Sequence, residues 1–186
     1  MRLLLVLPFL LSPLAIAGEH EHEHAHAHAS LDRHEHGVAA LDVALEGATL
    51  ELELRSPAAN LLGFEHAPRS AEERQRLARL QEQLGRPQAL FALPAAADCR
   101  LTGQQLDSPL FAATDHAHAH DEHGGSHSDI SVHYRFACRA PAALDGLDAA
   151  PLFRAFPATT RLQVQLIGPH GQQGGELRAG ASRLAL

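Results

Sequence analysis

Hydrophobic and polar positions alternate most regularly in VAALDVALEGATLELELRS, where Val43 and Leu45 precede Glu46-Gly47 and Leu50, Leu52 and Leu54 follow. A period of two sets these aliphatic side chains on one face of an extended chain, so the stretch predicts a β-hairpin with Glu-Gly at its turn. SPAANLLGFEHAP then reads as an irregular, Pro- and Gly-containing connection. In SAEERQRLARLQEQLG the period changes: Leu77, Leu80 and Leu84 form one helical stripe, Ser70 and Glu73 a capping box, and Gly85 stands at C′ with Pro87 beyond it. DCRLTGQQL and SDISVHYRFACR predict two more strands, the second with His133 and Ser131 facing away from Ile130, Val132 and Tyr134. DGLDAAPLFRAFP suggests a short helix ending before Pro157, and TTRLQVQLIGPHGQQGGELRAGASRLAL two strands around a Gly-rich turn. The expected class is α+β: a mainly antiparallel β domain of about six strands with one or two helices and His-rich segments.

The first residues have a different pattern. Arg2, an apolar run from Leu3 to Leu14 and Ala15-Ile16-Ala17 make up a secretory signal peptide with an A-x-A cleavage site. The run is too short to span a bilayer comfortably and no other segment qualifies, so export without membrane insertion after cleavage is expected. The division read from the chain is 1–17 signal peptide, 18–36 His-rich N-terminal segment, and 37–186 one β-rich domain with a His-rich loop insertion at 107–127. In an exported chain the two cysteines, Cys99 and Cys138, most simply pair as a disulfide; thiolate metal ligation is the alternative. The formal charge is −7 with neutral histidine, and every basic residue is arginine. No basic patch interleaved with aromatics occurs, which argues against nucleic acid as a partner.

Histidine carries the chemistry. His20, His22, His24, His26 and His28 alternate with Glu or Ala, and His116, His118 and His120 repeat the design before His123 and His127. In an extended chain such imidazoles share a face, about 6.6–6.8 Å apart. A bending chain can bring several of them onto one zinc, nickel, copper or cobalt ion. A solvated polar loop would not account for the same H-A-H-A-H arising twice, and histidine pH sensing needs partners that are not evident. His20-Glu21 with His24 formally matches H-E-x-x-H, but without a helix beside a cleft it is an accident of repetition, so no enzyme is expected. Cleavage after Ala17 would also leave Gly18-Glu19-His20, a square-planar copper(II) or nickel(II) binder. Of the isolated histidines, His34 and His36 flank Glu35 at the entry to the first strand, His66 follows Glu65, and His170 lies in a turn. His34, His36, His66 and His133 join the candidate ligands.

HEHGVAALDVALEGATLELELRSPAANLLGFEHAP resembles the opening of the ZrgA-like family of periplasmic zinc-binding proteins, and CRLTG, HSDISVHYRFAC, LFRAFP and QQGGEL are in keeping with it. The resemblance runs from about His34 to Leu186, with SPAANLLGFEH its most specific part. It implies zinc as cargo, a role in zinc uptake, and a zinc ABC transporter or its substrate-binding protein as partner. Carried over residue by residue, it points to His34, His36, Glu65, His66 and the loop histidines. Two other readings stand beside it: a periplasmic buffer or chaperone for nickel, copper or cobalt, and a structural β-domain with a metal-responsive tail.

Overall fold

The computed structural model describes residues 35–112 and 128–186, all within one folded unit, His34–Leu186. The leucine alternation closes a first hairpin: β1 (Val38–Glu46) pairs antiparallel with β2 (Thr49–Pro57). Glu46 lies opposite Thr49, so the turn is Gly47-Ala48 and not Glu-Gly. Gly47 takes a φ of 57°, which a residue without Cβ adopts at no steric cost. The stretch read as an irregular connection holds a short helix, α1 (Ala58–Leu62), closed by Gly63 in the left-handed conformation.

Helix α2 (Ala71–Leu84) forms where its capping box predicts: Ser70 Oγ accepts from Glu73 N at 3.1 Å, and Glu73 Oε2 accepts from Ser70 N at 3.1 Å. Gly85 ends it in the right-handed region rather than as a left-handed C′ glycine. Beyond it follow β3 (Cys99–Asp107), α3 (Pro109–Ala112), β4 (Asp129–Cys138), β5 (Gly146–Asp148), α4 (Ala150–Ala155), β6 (Arg161–Gly168), β7 (Gly171–Leu177) and β8 (Arg183–Ala185). The six expected strands form one sheet in the order β3-β4-β2-β1-β6-β7. A second, two-stranded sheet joins β5 to β8, two three-residue strands too short to register as alternation. Every pairing is antiparallel except β1 with β6, which run parallel with Leu41 beside Val164.

One face of the large sheet is the core wall. Leu41, Val43, Leu50, Leu52, Leu54, Val132, Phe136 and Leu166 are buried there, and Leu77, Leu80 and Leu84 of α2 belong to the same core. Each full burial of such a side chain contributes about 1.5–3 kcal/mol. Tyr134 ties the layers: its hydroxyl donates to Leu84 O at 2.8 Å and its ring meets Phe91 edge-on. Burial pushes the Tyr134 phenol upward, so it stays a neutral donor throughout the physiological range. Cys99 and Cys138 face each other across β3 and β4 and form a disulfide, which removes them as thiolate ligands. The other sheet face is polar and carries Asp42, Glu51, Glu53, Arg55, His133 and Arg135 around a shallow groove of about 320 Å³, with Arg135 near its margin.

Candidate metal centre

The entry to β1 is held by backbone and side-chain hydrogen bonds on both sides. Gly37 N donates to Asn60 Oδ1 at 2.7 Å, and Asn60 Nδ2 donates to Val38 O at 2.9 Å and Ser56 Oγ at 3.2 Å. From the far side, Gly37 O accepts from Thr160 N at 2.8 Å and Arg161 N at 3.0 Å. Gly37 has a φ of 86°, and a Cβ there would lie 3.0 Å from Thr160 Oγ1, so both the backbone and the space call for glycine. Arg161 also reaches Glu35 Oε1 at 2.8 Å. His36 therefore stands between two anchored residues.

Glu65 comes to it from α1. Gly63 turns the chain, Phe64 anchors it in the core, and Glu65 Oε1 meets His36 Nε2 at 3.1 Å, 29 residues away in sequence. With a proton on Nε2 this is a hydrogen bond. Without it, the same atoms are a nitrogen and an oxygen donor. Zinc bonds of 2.0–2.2 Å at a tetrahedral angle separate two ligand atoms by about 3.4 Å, close to what the pair offers. The imidazole is 64% exposed and the carboxylate 16%, so an ion from solvent reaches the nitrogen first and finds a carboxylate already shielded from water.

His66 forms a second contact of this kind. Its ring stacks on Phe64 with centroids 5.2 Å apart, Nδ1 lies 2.9 Å from Ala67 O, and Nε2 lies 3.8 Å from Glu73 Oε1. The hydrogen bond from Arg69 N holds the Glu73 carboxyl below the usual carboxylate range; partial burial opposes this, while Ser70 N and His66 act with it. His133 makes the third contact, with Nε2 3.3 Å from Glu51 Oε2. There Arg135 takes the other oxygen of Glu51 at 2.8 Å, and Arg55 lines the same groove. Arg55 is itself engaged by Asp42 at 2.7 Å and Glu53 at 2.9 Å, so Arg135 is the cation that already holds the Glu51 carboxylate. His170 stands exposed in the turn between β6 and β7.

Of the ligands expected from sequence, His36, His66 and His133 are thus placed, each against a carboxylate. His20, His22, His24, His26, His28, His34, His116, His118, His120, His123 and His127 lie outside the described residues. Among the described residues no three His, Cys, Asp or Glu side chains gather in a group that could hold a metal ion. The contacts among them are pairs of one imidazole and one carboxylate. Sequence reasoning missed Glu73 and Glu51 as histidine partners and Asn60 as the clamp. Glu73 is fully accounted for by its capping box, and only a polar residue amid AANLL hinted at Asn60. A family model described as ZrgA family zinc uptake protein matches residues 33–186. A search of curated proteins finds no match.

Proposed function

The chain belongs to the ZrgA family of zinc uptake proteins, and on that premise we propose that it is a non-enzymatic zinc-capture protein of the periplasm. In this reading the His-rich tracts collect zinc, the ordered domain holds an ion at His36 and Glu65, and the cargo passes to a zinc transporter component. The observation that carries it is the meeting of His36 and Glu65 at 3.1 Å, brought about by the anchored residues 35–37 and 63–66. Two donors on one scaffold raise the effective concentration of each for a shared ion. Exchange between such donors and the His-rich tracts allows release, which a closed four-ligand site would resist. The net charge of −7 adds a weak general attraction for cations.

The test is native mass spectrometry of the mature protein titrated with zinc, beside two variants. One carries His36→Ala with Glu65→Gln, and the other lacks residues 18–30. The expected result is that the tract deletion lowers the number of ions bound, while the double substitution removes one ion of the ordered domain and leaves the fold unchanged. Equal zinc uptake by the wild type and both variants overturns the reading.

A further inference from the structure

The strand β7 ends the six-stranded sheet. It pairs with β6 on one side, and among the described residues no strand pairs with the other. Residues 171–176 are all exposed, and Glu176 is the only charged residue of the strand. A bare row of N–H and C=O groups is a template for one more strand, which folded chains ordinarily blunt with charges, prolines or bulges. The opposite edge is blunted in this way: β3 carries Arg100 and Asp107, and its register shifts between Leu101 and Gly103. From Gly171 to Gly175, β7 has neither charge, proline nor register shift.

Its glycines are not all explained by the single chain. Gly171 takes a φ of 93° in the turn after β6, which calls for glycine. Gly174 and Gly175 have no positive φ, and a Cβ would meet only Val164 O at 3.8 Å at the first and nothing within 4 Å at the second. Gly174 lies opposite Gln165 on the open face, and Gly175 opposite Val164 on the core side, so both faces of the strand are bare at its middle. Glycine weakens a strand interior, and its presence there often marks the close approach of another backbone.

We propose that β7 is where a second copy of this chain adds to the sheet, the two β7 strands running antiparallel about a two-fold axis at Gly174. Gly174 is the middle residue of Gly171–Leu177, so this register pairs the whole strand. It sets Glu176 opposite Gln172 of the second copy, so no like charges face one another. Gln173 of the second copy falls beside Gly175, on the side where the glycine leaves room. Each chain carries −7, and the uncharged run Gly171–Gly175 lets two such copies approach without opposing charges at the contact. The proposal is independent of zinc.

Sedimentation equilibrium of the full mature chain in EDTA tests it, since chelation removes any bridging of His-rich tracts by ions. A dimer that dissociates on dilution is expected. Gly174→Lys sets two like charges opposite each other at the axis and should weaken that dimer about fivefold, the upper range for one cross-strand pair. Gly174→Glu should weaken it likewise, and mixing the two variants should restore association, because unlike charges then meet. Far-UV spectra show that both variants keep the fold, and the restoration in the mixture is an effect that damage to either one would not produce. A chain that stays monomeric in EDTA, association that requires zinc, or a mixture no tighter than the separate variants overturns the proposal.

Discussion

Replacing Asn60 by alanine removes three hydrogen bonds at once, to Gly37 N at 2.7 Å, Val38 O at 2.9 Å and Ser56 Oγ at 3.2 Å. Asn60 is only 4% exposed, so water does not simply replace the amide. The variant strands a backbone N–H and a backbone C=O at the mouth of β1. Each stranded buried group costs about 1–3 kcal/mol, and Gly37 and Val38 are partly open to solvent, so the lower half of that range applies and the total is about 2–4 kcal/mol. Against a typical stability of about 5–15 kcal/mol this is a large fraction. In a domain of this size it lowers the melting temperature by on the order of 10 °C. Urea denaturation followed by far-UV circular dichroism measures it, with a lower midpoint at an unchanged m-value as the expected pattern. The same substitution frees His36 from its seat against Glu65, so zinc affinity at that pair should fall. A stability loss under about 0.5 kcal/mol, with zinc binding at His36 intact, refutes the clamp, because a made and buried set of three bonds does not vanish at so small a cost.

Two further outcomes follow from the fold. The Asp148 carboxyl is held below its usual range, first by the hydrogen bond from Ser182 Oγ at 2.6 Å and then by that from Ala150 N at 2.8 Å. A folded value beneath the unfolded one of about 4 contributes stability that is complete above the unfolded value and disappears as pH falls through the folded value. Asp148→Asn should therefore flatten the acid limb of the stability–pH curve and leave the neutral region unaltered in slope; an unchanged acid limb contradicts this. Reduction of the disulfide between Cys99 and Cys138, 39 residues apart, should cost about 4 kcal/mol by the chain-entropy relation. Zinc binding should persist if the protein stays folded, as read by urea midpoints and ion counts with and without reductant.

What could be read from sequence was whatever a local period or a local cap announces. The first hairpin shows in its leucines and α2 in Ser70 and Glu73, because in both the side chains that matter are neighbours along the chain. The helix α1 was hidden because five residues are too few to display a period and it is tied down through Asn60 to residues 22 and 23 positions away. Parallel pairing of β1 with β6 was equally hidden, since alternation says which face a strand buries and nothing about its neighbour. The site behaved in the same way. His36, His66 and Glu65 were legible as candidates, whereas which carboxylate each imidazole meets is decided by the path of a loop, and Glu73 already had a sufficient local explanation.

β1 is an interior strand with β6 as one neighbour, and β6 begins at Arg161, more than a hundred residues later. A chain emerging in order from its N-terminus therefore holds the β1–β2 hairpin long before it can finish the sheet, and contacts of such sequence separation form slowly. Until β6 arrives, one edge of β1 stays bare and open to pairing with another chain. Thr160 and Arg161, which close around Gly37, arrive with the same strand. The seat of His36 is thus among the last parts of the domain to be assembled, so a chain truncated before β6 would be both sticky and without its anchored imidazole.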